Sequence, residues 1–395
     1  MKFKILAFGY FTTIVGLFLY SFTQVDLSLT LSRASFWQSI QKNFQYLGFF
    51  QRPTSALVFS IILFLMFLFY SRFLYFANKN KITKKQALIL IFGTVIILAL
   101  SYNAFSYDLF NYIFDAKILT FYNKNPFLYK PLDFPADPML NFMRWTHRLY
   151  PYGPSWLFLT VPLSYIGMNY FLPTMVLFKL LIAACFLGTS YFIYKISEAV
   201  FPKNLIFNLI FWGLNPLVII EGLVSSHNDI PMIFLTLFSF YLLIKNRNIS
   251  SAVVYLFSVG IKYANIVLLP VFPVVFYLKK TKKEINWEKI FTLSIFLSLI
   301  AVIIASTRTT FQPWYLLYVL PFAALVSKKQ YIFISSFILS FFGTAIYIPY
   351  VYLSDYDKSY PFVVLNIEIT GLIIILLFTF LYILKKVFKN CTYLP

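Results

Sequence analysis

An all-α polytopic membrane protein of about twelve transmembrane helices is the fold class this sequence predicts, and three observations predict it. Of its 395 residues 60% are hydrophobic and only 12% charged, with 49 Phe and 30 Tyr. Windows such as 59–70, 88–100 and 371–384 carry almost no charge and, with their flanks, are long enough to span roughly 30 Å of hydrocarbon. The basic residues between such runs also sort consistently to one side.

The apolar runs place spans at 5–22, 54–77, 86–104, 171–194, 205–223, 229–244, 251–262, 264–278, 289–307, 314–327, 331–348 and 361–384. The opening MKFKILAFGYFTTIVGLFLYSF has the look of a signal peptide but no A-x-A cleavage site, so it reads as a retained first span. Residues 153–167 (GPSWLFLTVPLSYIG) are apolar but short and interrupted by Pro162. They are expected to lie along the outer surface or re-enter, because a crossing there would put every later lysine cluster outside. With that choice one side collects Lys2, Lys4, the run from Lys79 to Lys85, Lys195, Lys203, Lys245, Arg247, the run from Lys279 to Lys289, Lys328, Lys329 and Lys385 to Lys389, against Glu198, Glu284 and Glu288. By the positive-inside rule this side is cytoplasmic, as are both termini.

The net charge of +20 is therefore topology and attraction to anionic lipid, not a nucleic-acid footprint. Cys185 and Cys391 are too few and too ill-placed for a disulfide framework. Neither G-x-G-x-x-G nor G-x-x-x-x-G-K-[ST] occurs, which argues against a cytosolic nucleotide as direct substrate. The acids fall on the outer side: Asp26, Asp108, Asp115, Asp133, Asp137, Glu221, Asp229, Asp355 and Asp357, with Glu368 in the outer half of the last span. Both histidines, His147 and His227, are expected there too, so any chemistry faces away from the cytoplasm.

The large outer loop, 103–170, begins SYDLFNYIFDAKILTFYNKNPF. As a helix over 106–121 it places Asp108, Asn111, Tyr112 and Asp115 on one stripe, opposite Phe110, Ile113, Phe114 and Phe121, with Lys117 snorkelling. The result is an interfacial helix presenting two carboxylates to water, stopped by Asn125-Pro126. The turn WTHRLYPYGPSW follows, with His147 solvated and its aromatic residues ordinary for an interface.

In WGLNPLVIIEGLVSSHNDIPMIF, Asn215-Pro216 loosens one span, Glu221 lies within it, and His227-Asn228-Asp229 form the turn. An isolated acid at a span centre costs about 2.5–3.5 kcal/mol on insertion scales, so Glu221 demands a partner or a wet cavity. Asp229 is also placed to cap the next helix. Two cations complete the set: Lys262 at the break of the 251–278 hairpin, and Arg308 at an outer helix end, which also fits an interfacial snorkel.

In order along the chain, Asp108 and Asp115, Asn125-Pro126, YPYGP at 150–154, Asn215-Pro216, Glu221, HND at 227–229, Lys262 before LLP, and FQPWY at 311–315 resemble the GT-C-type membrane glycosyltransferases. They are most similar to the polyprenyl-phosphate-mannose-dependent α-mannosyltransferases. The resemblance runs from about residue 100 to 330 and rests on the ordered set, not on any one motif. It implies that Asp108 is the catalytic base or a metal-site carboxylate, with Asp115 beside it. By the same likeness the turn His227, Asn228, Asp229 belongs to the site and Lys262 lies near the lipid phosphate. Tyr112, Glu221 and Arg308 join these as substrate-binding candidates. A divalent cation is possible, with no metal ligand set assigned.

The resemblance divides the chain into a two-span extension (1–85), a catalytic membrane core (86–330) and C-terminal membrane helices (331–395). No soluble C-terminal domain follows, which disfavours a protein acceptor. The expected partners are a polyprenyl-phosphate sugar donor and a lipid-linked or glycan acceptor. The residues fit this chemistry in their own right. A phosphate is a good leaving group, so a carboxylate base for the acceptor hydroxyl and cations for the departing phosphate suffice. A single displacement inverts the anomeric centre, by analogy with inverting glycosidases. The alternative is a secondary transporter or flippase of a sugar or lipid-linked substrate, using Glu221 and Lys262 as coupling sites. Transporters more often show internal repeats and midplane sites.

Overall fold

The computed structural model describes residues 3–353 and 362–391, with side chains through residue 385. Asp355 and Asp357 lie outside the described residues. Every regular element among those described is helical. Helix α1 (Phe3–Ser21) leads to the short amphipathic α2 (Ser35–Gln45), whose Gln41 and Gln45 side chains donate to the backbone carbonyls of Leu29 and Asp26. Pro53 sits in the first turn of α3 (Arg52–Asn78), where its missing N–H costs nothing. A reciprocal Thr83–Gln86 capping box starts α4 (Lys84–Leu98).

Helices α5 (Asp108–Thr120) and α6 (Pro154–Ile166) flank the loop expected to carry chemistry, and both pack against α7 (Phe171–Val200). Helix α8 (Leu205–Gly213) breaks at Asn215-Pro216, bends by 53° into α9 (Pro216–Ile219), and passes into a π-helical turn over 220–224. The Asn215 side chain accepts from the Leu217 N–H (3.0 Å) and donates to Ser340 Oγ (3.0 Å). The Tyr70 hydroxyl donates to the Phe211 carbonyl (2.9 Å). Backbone groups freed by the break are thus satisfied within the protein, by the Asn215 side chain and by Tyr70 of α3, which lipid would not do. Then follow α10 (Asp229–Ile244), α11 (Asn248–Val259), a 3-10 turn over 263–268 running into α12 (Val271–Lys280), and α13 (Trp287–Arg308). A 3-10 turn at 313–318, α14 (Leu320–Leu325), α15 (Gln330–Ala345), α16 (Tyr347–Leu353) and α17 (Phe362–Cys391) complete the chain.

Seven helical stretches among the described residues are long and apolar enough to cross a membrane, or eight if the bent pair is one span. The chain is a multi-pass membrane protein; among the described residues seven or eight stretches meet this length and composition, against the twelve spans expected. The difference has a physical cause. Helix α4 has 15 residues and so reaches only about 22 Å. Helices α10 and α11 are apolar but short, and the expected span at 314–327 is a 3-10 turn followed by a six-residue helix. Residues 313–327, apart from the partly exposed Trp314, and most of 207–233 are buried within the protein. Their apolarity reflects packing against protein, which sequence alone does not distinguish from contact with lipid. Helix α6, expected not to cross, has 13 residues and carries Pro162 within it.

Candidate active site

Helix α5 starts where Ser106 Oγ accepts the Asp108 N–H (3.2 Å), setting Asp108 in the first turn, at the favourable end of the helix dipole for an anion. Its carboxylate lies 3.4 Å from Nδ1 of His227, whose Nε2 is 3.2 Å from Glu221 Oε2. These are ion-pair distances without hydrogen-bond angles. The other oxygen of Glu221 accepts from the Tyr347 hydroxyl (2.8 Å), and the His227 ring stacks on Trp314 with centroids 4.2 Å apart. A carboxylate–imidazole–carboxylate chain therefore runs from Asp108 inward. Beside it Lys262 Nζ donates to both oxygens of Asp229 (2.8 and 3.0 Å) and lies over the Tyr318 ring. The Tyr112 hydroxyl donates to Asn228 Oδ1 (3.3 Å), while its ring packs edge-on against Tyr152 and Trp156.

Exposure separates the acids. The Asp108 side chain is 18% exposed, whereas those of Glu221 and Asp229 are 0% exposed. Glu221, His227, Asn228 and Asp229 thus form a buried layer beneath Asp108, not the open wall of a cavity. Asp115 is buried too. This corrects the expectation that α5 presents two carboxylates to water: it is packed on nearly every side, and Asp108 alone of the two reaches the surface. Lys117 does not snorkel either; it pairs with Asp137, which also accepts from the Tyr122 hydroxyl (2.7 Å). Asn228, not Asp229, is the N-cap residue of α10, and the Asp229 carboxylate is turned to Lys262 instead of capping. Arg308 ends α13 exposed, and among the described residues it is not in contact with the acid cluster.

The electrostatics divide the two α5 carboxylates. Burial opposes ionisation of Asp108, but His227, Lys262 and Arg148 outweigh it and hold its pKa below the ordinary value. Burial and the charge of Asp108 push Asp115 well above the ordinary carboxylate range. Burial alone would keep His227 neutral; Asp108 and Glu221 overcome it and raise the imidazole to about 9. Near neutral pH the arrangement is an ionised, partly exposed Asp108 backed by an imidazolium, with Asp115 biased towards its neutral form behind. Two carboxylates set apart in this way can take different roles in proton transfer.

The loop carrying YPYGP is joined to the hairpin carrying Lys262 through backbone alone. The Gly153 N–H donates to the Ile261 carbonyl (3.2 Å) and the Ser155 N–H to the Gly260 carbonyl (2.9 Å). A Cβ on Gly153 would come within 2.2 Å of the Gly260 carbonyl oxygen, and one on Gly260 within 2.2 Å of Ser155 Oγ. At Gly153 nothing larger fits against the Gly260 backbone, whereas a larger residue at Gly260 requires the Ser155 side chain to shift.

Asp108, Tyr112, Glu221, His227, Asn228, Asp229 and Lys262, singled out from sequence, come together at this place. Trp314 and Tyr347, which complete the surroundings of His227 and Glu221, were not assigned there. FQPWY marked the position of Trp314, whereas nothing local marks Tyr347. Among the described residues no group of three or more His, Cys, Asp or Glu side chains converges to hold a metal ion. A family model described as alpha-(1->6)-mannopyranosyltransferase, N-terminal domain, matches residues 12–278. No curated protein and no solved structure matches the chain.

Proposed function

The chain belongs to the alpha-(1->6)-mannopyranosyltransferase family and is a membrane glycosyltransferase, and on that premise we propose that it transfers mannose from a polyprenyl-phosphate donor to a lipid-linked or glycan acceptor at the outer face of the membrane, with inversion. One observation carries the proposal: of the acids gathered at the site, Asp108 is the one that combines exposure with an ionised state. Its carboxylate takes the proton of the acceptor hydroxyl as the hydroxyl oxygen attacks the anomeric carbon. The bond from that carbon to the phosphate oxygen breaks, and the polyprenyl phosphate leaves with the electron pair. Lys262, 19% exposed, faces the growing negative charge while its inner side stays tied to Asp229. Arg308, exposed at the end of α13, is proposed as a second cation for the phosphate.

Glu221 and His227 act through Asp108 and so are positioning residues. Asn228 holds Tyr112, and Asp229 holds Lys262. All these groups fall within 86–330, with Tyr347 added from the C-terminal helices. The lysine distribution supports cytoplasmic termini and an outward-facing site. Asp108→Asn keeps shape and removes the base, so turnover should fall by a factor on the order of 10² or more while donor binding persists. Near-normal transfer by the purified Asn variant, from a polyprenyl-phosphate-mannose donor, would remove Asp108 from the mechanism.

A further inference from the structure

Lys179 is a buried cation that the chemistry above leaves unused. It lies on α7, 2% exposed, between the buried Phe178 and Ile182. Its Nζ donates to the carbonyls of Leu223 (2.9 Å) and Val224 (3.2 Å) and to Ser226 Oγ (3.0 Å). An ammonium group has three donors, and all three find acceptors here. None of the acceptors is a carboxylate, so this is not an ion pair. Two are end carbonyls of the π-helical 220–224 turn, where a cation meets the negative end of the dipole; the Leu223 carbonyl also accepts from Ser226 Oγ (3.3 Å). The third belongs to Ser226, whose φ of 55° lies in the left-handed region that side-chain-bearing residues rarely adopt. Such a conformation persists where its surroundings over-determine it, and it clusters at functional sites. The next residue is His227, whose N–H donates back to the Glu221 carbonyl (3.1 Å).

We propose that Lys179 is a positioning residue for sugar transfer: by tying the end of the 220–224 turn to α7, it sets the direction in which Ser226 delivers His227 to Asp108. The inference rests on Asp108 being the base. A cap supplied from within the turn would satisfy the same carbonyls but would leave the turn free to swing. A lysine from a different helix fixes it to the bundle at three points. Loss of the tie lets His227 withdraw, and the acidity of Asp108 then changes. The groups facing Asp108 are His227, Lys262, Arg148, Asp115, Tyr112 and Tyr152; those facing His227 are Asp108 and Glu221. Of these, His227 is the one carried by the tied turn next to Ser226.

The test measures turnover against pH for the full-length enzyme in lipid nanodiscs, with a short-chain polyprenyl-phosphate mannose as donor and an alkyl α-mannoside as acceptor. Folded Lys179→Met should lose on the order of 10- to 100-fold in kcat with the donor KM unchanged. Its acid limb should move to higher pH, as in His227→Gln. The double variant Lys179→Met/His227→Gln should be no worse than the worse single, because both remove one interaction. A folded Lys179→Met with wild-type kcat and acid limb, or losses that multiply in the double variant, overturns the proposal. If the Met variant does not accumulate, Lys179→Gln, which keeps donors without the charge, is read by the same criteria. Asp108→Asn run alongside separates the two ideas. If it transfers normally, the base assignment fails and the inference fails with it. If it is inactive while Lys179→Met behaves as wild type, only the role of Lys179 fails.

Discussion

Replacing His227 by Gln removes a cation held wholly inside the protein between Asp108 and Glu221. Burial works against the imidazolium, yet the two carboxylates raise its pKa from 6.5 to about 9. At about 1.4 kcal/mol per pH unit, that rise of about 2.5 units corresponds to an upper bound of about 3–4 kcal/mol favouring the folded, protonated form. Because the folded-state pKa is raised, this stabilisation is present in full below pH 6.5 and is lost as pH rises through about 9. The wild-type protein should therefore melt at progressively lower temperature across this interval. His227→Gln should start lower at neutral pH and lack that component. The measurement is thermal unfolding of both proteins in the same nanodiscs at several pH values, taken as the difference between them so that shared titrations cancel. Parallel loss of stability in wild type and variant over the interval would refute an imidazolium between the two acids.

The remaining predictions concern the two flanks of Asp108. Burial and the charge of Asp108 push Asp115 well above the ordinary carboxylate range, towards the neutral acid, so Asp115→Asn should leave kcat within about threefold of wild type, far from the loss expected of a base. A collapse of turnover in a folded Asp115→Asn, measured with the same donor, would give Asp115 an ionised role. Lys262→Ala strands the buried Asp229 carboxylate and should cost about 3–5 kcal/mol of stability as well as raising the donor KM. Lys262→Ala/Asp229→Ala should regain much of the stability but none of the donor affinity; melting and donor titration on one preparation check both halves.

The membrane class and the candidate acids were legible because both depend on residue type. Charge is so costly in hydrocarbon that Glu221 and Lys262 stand out against their neighbours. The number of spanning helices was not legible in the same way, since residues 313–327 are apolar to suit protein neighbours and not lipid. The periodicity of α5 placed Asp108 and Asp115 on one stripe, yet could not tell that Asp115 would be buried once α5 packs against α6 and α7. Partners distant in the chain were the least accessible. Tyr347 meets Glu221 across 126 positions, and Lys179 meets Ser226 across 47, with no local pattern announcing either. Lys179 did leave a trace, a lone lysine within the run 171–194, which the cost of a charge at membrane depth marks as needing a purpose.

The broken helix α8–α9 also bears on the order in which the chain assembles. Asn215 waits for Ser340, His227 for Trp314, and Glu221 for Tyr347. Each partner lies beyond residue 278, where the family match ends. During synthesis part of the polar network of this region is thus made well before the last side chains that complete it. A nascent chain stopped near residue 278 would already hold Asp108, Glu221 and His227 together but would lack the Tyr347 hydroxyl, the Trp314 ring and the Ser340 hydroxyl that complete their surroundings. Such a fragment should be less stable in the membrane than the full chain, because the helices beyond residue 278 supply the Ser340, Trp314 and Tyr347 contacts.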